Sequence, residues 1–176
     1  RILDKKETGN FVRGKLDFAG PITLFSQFNW PRSRIENRLF KSVTFPHPIL
    51  WTFLWRHVSF YNVTFEYCHF VGGRFRDVEF TRCAFTACTF GNGFMGAMVG
   101  AQFVDSKISD SLISDLSFSD VSFVRTQFLG TTIRRCHFRK PLFEQSTLQG
   151  KLHSLTCVEP HLNGLDLSKV IYQDVS

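Results

Sequence analysis

Residues 60–90 read FYNVTFEYCHFVGGRFRDVEFTRCAFTACTF, and in that stretch phenylalanine stands at every fifth position: Phe60, Phe65, Phe70, Phe75, Phe80, Phe85 and Phe90. A period of five fits neither the 3.6 residues of a helical turn nor the two of a simple strand. It fits a chain that turns a corner every five residues. In each unit the central large side chain and the residue two before it then point inward, and the other three point outward.

The beat extends well beyond this stretch. Towards the N-terminus it passes through Trp55, Leu50, Phe45, Phe40, Ile35 and Trp30 to Phe25, every position large and apolar. The segment 91–97 (GNGFMGA) interrupts it with three glycines, which adopt backbone angles that other residues resist, and predicts a loop at one corner. It resumes out of step at Met98 and runs through Phe103, Ile108, Ile113, Phe118, Phe123, Phe128, Ile133, Phe138 and Phe143 to Leu148. A one-residue slip near 149–151 restarts it at Leu152, followed by Cys157, Leu162, Leu167 and Tyr172. The companion position two residues earlier is small or β-branched where the repeat is most regular: Val58, Val63, Cys68, Gly73, Val78, Cys83 and Cys88.

This pattern resembles the pentapeptide-repeat family, whose units centre on Leu or Phe with a small residue two positions before. The resemblance covers residues 25–172. It implies an all-β fold, a right-handed quadrilateral β-helix with four units per coil and about seven to eight coils. At the ~4.8 Å spacing of neighbouring strands that is a rod on the order of 35 Å long. Alanine is scarce at the small position, so the chain reads as a divergent, Phe-rich member. Residues 1–17 lack the repeat and are expected to form an N-terminal cap over the open end of the solenoid at 18–176.

Composition supports a packed core. Of 176 residues 21 are Phe, against 3 Tyr and 3 Trp, so the chain uses the aromatic ring that is buried without needing a hydrogen-bond partner. The formal charge is +6 with a pI near 9.3, modest for a dedicated nucleic-acid binder. No apolar run is long enough to span a membrane as a helix. The first residue is Arg1, which points to a processed chain or a piece of a longer one.

Chemistry-bearing motifs are scarce. Cys68, Cys83, Cys88 and Cys136 fall on the small inward position and Cys157 on a central one; none forms a Cys-x-x-Cys pair. Cys68 and Cys88 lie one expected coil apart, within reach of a disulfide, but free buried thiols are the expectation, with a reducing, cytoplasmic compartment. The six histidines scatter over different faces. There is no nucleophile elbow and no phosphate-binding glycine loop ahead of a helix, so no enzyme, no cofactor and no metal are expected. Asn62-Val63-Thr64 matches a glycosylation sequon, with Val63 expected inward.

Function must then lie on the surface. With four units per coil, Arg34, Arg56, His57, Arg74 and Arg76 are expected on one face, continued by Arg139 and Lys140, with Arg134 and Arg135 on the adjoining face. These cations form either an anion- or acidic-protein-binding stripe or a solvated basic face. Trp51, Tyr61 and Tyr67 are outward aromatics and a second candidate contact set.

The resemblance implies a non-catalytic protein–protein interaction or scaffold module. Similar regions occur as targeting or substrate-binding parts of larger bacterial effectors, which would place the chain in a host cytosol. The alternative it implies is a topoisomerase-targeting mimic of duplex DNA, and the basic charge opposes it. Direct nucleic-acid binding is opposed by the interleaved acids and by aromatics spent in the core. A receptor-like luminal role, suggested by FKSVTF at 40–45, rests on six residues.

Overall fold

The computed structural model describes residues 11–12, 17–21, 33–45, 55–71 and 74–176. Within them the five-residue unit becomes a short strand whose middle residue is buried, as in Glu79–Thr81 around Phe80 and Ala84–Thr86 around Phe85. A polar or charged outward residue on each side of one large inward residue leaves the strand a single apolar direction, so successive strands close around a common interior.

Each strand pairs in parallel with its counterpart one coil away, which gives four faces. The first is a separate eight-stranded ladder, Phe11–Val12, Arg34–Glu36, Ser59–Tyr61, Glu79–Thr81, Gln102–Val104, Ser122–Val124, Leu142–Glu144 and His161–Asn163. The second face stacks Phe40, Phe65, Phe85, Ile108, Phe128 and Leu148. The third stacks Phe45, Phe70, Phe90, Ile113, Ile133 and Leu152. The fourth stacks Trp55, Phe75, Met98, Phe118, Phe138 and Cys157. These three faces share one 14-stranded sheet because several strands run through a corner; Leu112–Ser119, for instance, carries Ile113 on the third face and Phe118 on the fourth. The described residues make about six turns.

Stacking the coils stacks the rings. Phe40, Phe65 and Phe85 lie nearly parallel with centroids 5.0 and 4.8 Å apart, and Phe45, Phe70 and Phe90 repeat this at 4.7 and 4.6 Å. On the first face the ladder runs through Phe60, Phe80, Phe103, Phe123 and Phe143. Between faces the rings meet edge-on, as Phe80 does Phe85 at 77°. Both arrangements suit the ring quadrupole and add to the ~1.5–3 kcal/mol that burial of each such side chain contributes.

The small inward position carries a second ladder, a polar one. Ser106 Oγ accepts from the backbone N–H of Cys83 at 3.1 Å and donates to the carbonyls of Phe80 and Val104 at 3.1 and 2.9 Å. Ser146 does the same for Thr126, and Ser111 accepts from the N–H of Cys88. Thiols occupy the same columns nearer the N-terminus: Cys68, Cys83 and Cys88 donate to the carbonyls of Phe40, Phe60 and Phe65. All five cysteines are free. Burial pushes the Cys83 thiol up to about 12 and Cys136 up to about 11; Cys88 is raised by its hydrogen bond with Cys68 and then by burial.

One register differs from the sequence expectation. A 20-residue coil would set Ile35 beside Trp55, but Ile35 pairs with Phe60, Phe40 with Phe65 and Phe45 with Phe70. Five more residues separate Phe45 from Trp55 than separate their partners Phe70 and Phe75, and residues 46–54 lie outside the described residues. Arg34 therefore stands on the first face, not with Arg56, Arg74 and Arg76 on the fourth.

Two further irregularities sit at the glycine segments. Between Gly91 and Gly96 the register against Ser114 and Leu116 shifts by a bulge inside the strand Thr89–Val99. Opposite Leu129 and Thr131, the chain at Gln149 and Gly150 is one residue shorter.

The corners are left-handed. Among the described residues nineteen non-glycine residues hold φ between 47° and 57°, one coil apart in columns, and most of their N–H groups donate to the next coil, as Arg82 does to Val104 and Asp105 to Val124. The left-handed region strains most side chains and is eased for Asn and Asp, which fill eight of these corners. The repeated inter-coil bond offsets that strain.

Candidate binding surfaces

Because the coils are in register, outward residues form columns that run the length of the stack. The fourth face carries the clearest basic set. Arg56 and Arg76 are register partners, Arg74 lies on the other side of Phe75, and Arg139 stands three rungs further on, beyond Val99 and Ser119. Arg134 is on the adjoining third face, between Ser114 and His153.

Several of the expected contact residues are engaged across coils. Arg135 grips Asp115 with two hydrogen bonds, Nε to Oδ1 at 2.7 Å and Nη2 to Oδ2 at 2.9 Å. Arg125 holds Asp105 in the same way. Lys140 pairs with Glu159 at 3.6 Å. The neighbouring guanidinium holds both the Asp105 and Asp115 carboxyls below their ordinary range. Arg56, Arg134 and Arg139 make no ion pair among the described residues.

The five extra residues between Phe45 and Trp55 bring together two residues expected on different faces. Arg34 lies 5.5 Å from the Tyr61 ring centroid and Arg82 lies 5.6 Å from it. Arg82 also donates to the Tyr61 hydroxyl at 2.7 Å, and Arg34 reaches Glu36 at 2.7 Å. Tyr61 is thus a clasp between coils, held by two cations over its π faces. Tyr67 is 54% exposed, at a left-handed corner between the second and third faces. Trp51 lies outside the described residues. Asn62 is exposed at a corner and donates to Asn37 at 2.7 Å, while Val63 is buried.

Two open grooves follow the corners on either side of the fourth face. One, of about 280 Å³, runs by His57, Asp77 and Glu79, where His57 lies 3.5 Å from Asp77. The other, of about 420 Å³, lies at the corner of the third and fourth faces. Its floor is Leu116 and Cys136, Gly96 closes one end, and its walls carry Ser117, His137 and Thr156 on one side and Asp115, Arg135 and Ser154 on the other. Sequence reasoning singled out only Arg135 among these walls, and saw His137 as one of six scattered histidines. The available signal was the spacing, since Ser117, His137 and Thr156 recur one coil apart at the same outward position. Among the described residues no group of three or more His, Cys, Asp or Glu is placed to hold a metal ion.

Corners every five residues, four faces per coil and inward centres in unbroken ladders decide the architecture. The chain is a four-sided β-solenoid built of five-residue units. No protein-family profile matches it, and no curated protein matches it. Among solved structures it is similar to HetL, a pentapeptide repeat protein involved in heterocyst differentiation regulation from the cyanobacterium Nostoc sp. strain PCC 7120. That likeness has 10% identity and a TM-score of 0.45, and covers 92% of this chain and 84% of that one. It is also similar to QnrB1, a plasmid-mediated fluoroquinolone resistance protein. A trypsin-treated form of QnrB1 matches at 15% identity over 93% of this chain and 91% of that one, with a TM-score of 0.39. Among the described residues of this solenoid no helix is long and apolar enough to cross a membrane.

Proposed function

We propose that this solenoid is a non-catalytic interaction scaffold that presents cations of its third and fourth faces to an acidic protein surface. One observation supports the reading above the others: the basic residues divide into two sets. Arg125, Arg135 and Lys140 are tied to carboxylates one coil away, whereas Arg56, Arg134 and Arg139 lack an ion pair among the described residues. The paired set serves the stack. Arg56 and Arg139 are exposed on the fourth-face ladder and Arg134 is half-buried on the third, so little conformational freedom is lost when a partner docks.

The experiment replaces Arg56, Arg134 and Arg139 together with Glu. A purified partner identified with the unaltered chain is expected to bind the variant at least tenfold more weakly, with binding that falls as salt rises and an unchanged melting temperature. Equal binding by a folded variant removes these cations from the interface. A mimic of duplex DNA needs a continuous acidic surface; here Asp105 and Asp115 are neutralised by Arg125 and Arg135, and the formal charge is +6. Inhibition of gyrase supercoiling at micromolar concentrations would restore that alternative.

A further inference from the structure

We propose that the groove at the corner of the third and fourth faces is a binding site for a phosphomonoester. It goes beyond the protein-partner reading, because its ligand class follows from donors on the groove walls and not from the outer cations.

The walls place donors on two sides of one space. On the fourth face Ser117, His137 and Thr156 form a column one coil apart, all exposed. His137 Nδ1 is hydrogen-bonded to the Thr156 hydroxyl. Whichever partner donates, the pair keeps one proton uncommitted: if Thr156 donates to Nδ1, the ring carries its N–H at Nε2; if Nδ1–H donates to Thr156, the hydroxyl proton is available. Ser117, the neighbour of His137 in register, adds another hydroxyl.

The opposite wall adds guanidinium donors. Asp115 accepts hydrogen bonds from the Nε proton and one Nη2 proton of Arg135, which leaves the second Nη2 proton and both protons of Nη1. A tetrahedral oxyanion, with three acceptor oxygens, is matched by donors converging from several directions, as the hydroxyls, the imidazole and the remaining guanidinium protons do here. Asp115 is the one carboxylate on the walls, and its charge is offset by Arg135. A volume of about 420 Å³ exceeds what a bare phosphate fills and leaves room for the group that carries it.

The test is titration of the chain with inorganic phosphate, free phosphoserine, and a phosphoserine peptide beside its unphosphorylated twin, at matched ionic strength in chloride. Binding is read by chemical shifts of the His137 and Thr156 signals and by melting temperature. The unaltered chain is expected to bind each phosphorylated probe. Ser117→Ala combined with Thr156→Val is expected to weaken binding by about tenfold or more. Both side chains are exposed, so this variant should keep its melting temperature without ligand; Arg125→Gln, at a distant corner, should keep full binding. Equal affinity for free phosphoserine and the peptide supports a small-molecule source, and tighter peptide binding supports a protein-borne phosphate. The proposal is overturned if phosphate perturbs neither signal, or if the Ser117/Thr156 variant, folded, binds as the unaltered chain does.

Discussion

At the scale of single residues the interior distinguishes two kinds of buried position. A phenylalanine centre is replaceable by anything large and apolar, and the chain itself substitutes Ile and Leu at 108, 113, 133 and 148. The hydroxyl positions are less tolerant. Ser106 is 2% exposed and is the acceptor for the buried N–H of Cys83. Ser106→Ala leaves that donor without its acceptor, and the cost expected for an orphaned buried group is about 1–3 kcal/mol. Ser106→Cys places at 106 the side chain that position 83 carries one coil earlier, and should cost less because sulfur is a weak acceptor but still an acceptor. Chemical denaturation of the two variants gives the order; equal stability of Ala and Cys would mean that a sulfur acceptor at 106 contributes nothing to the buried N–H.

At the scale of the element, the corner columns join coil to coil through charge as well as backbone. The Asp105 and Asp115 carboxyls titrate below their ordinary 3.8 in the folded chain because Arg125 and Arg135 favour the ionised form. A carboxyl depressed by folding contributes stability above its unfolded value, and the contribution disappears as pH falls through the lower folded value. The melting temperature should therefore drop on acidification below about pH 4, and Asp105→Asn with Asp115→Asn should flatten that slope. Solvent screening at these exposed corners keeps the effect small. A slope unchanged by the double substitution would assign acid sensitivity elsewhere.

The elements also show what a sequence reader meets and misses. The inward centres from Phe60 to Phe90 were legible because one large apolar residue in five has a single physical use. The faces were not, because a five-residue repeat has a degenerate register: adding five residues between Phe45 and Trp55 keeps the beat and moves Arg34 from the fourth face to the first. The Arg34–Tyr61–Arg82 clasp was invisible for that reason. The groove was hidden differently. Ser117, His137 and Thr156 are common polar residues, and the shorter unit at Gly150 sets Thr156, 19 residues after His137, in the same column.

At the scale of the molecule, a solenoid is a one-dimensional stack, and each coil is stabilised by the two it touches. The central coils have neighbours on both sides, and Phe80 and Phe103 are fully buried. Among the described residues the last coil has a neighbour on one side, and its centres Leu162 and Tyr172 are 56% and 51% exposed. Local opening should cost least there, since few apolar contacts must break. Native-state hydrogen exchange is expected to show amides of 161–175 exchanging at least about tenfold faster than those of 79–124, although both form the same kind of parallel ladder. The same gradient should appear in side-chain truncation. Phe103→Ala opens a cavity between two stacked rings and should cost about 3–5 kcal/mol, whereas Leu162→Ala, already half in solvent, should cost less than about 1. Uniform protection along the rod would mean that the stack opens only as a whole. A graded result would mean that the rungs bearing Arg134, Arg139 and the groove, which lie between the rigid centre and the looser last coil, combine fixed geometry with room to adjust when a ligand docks.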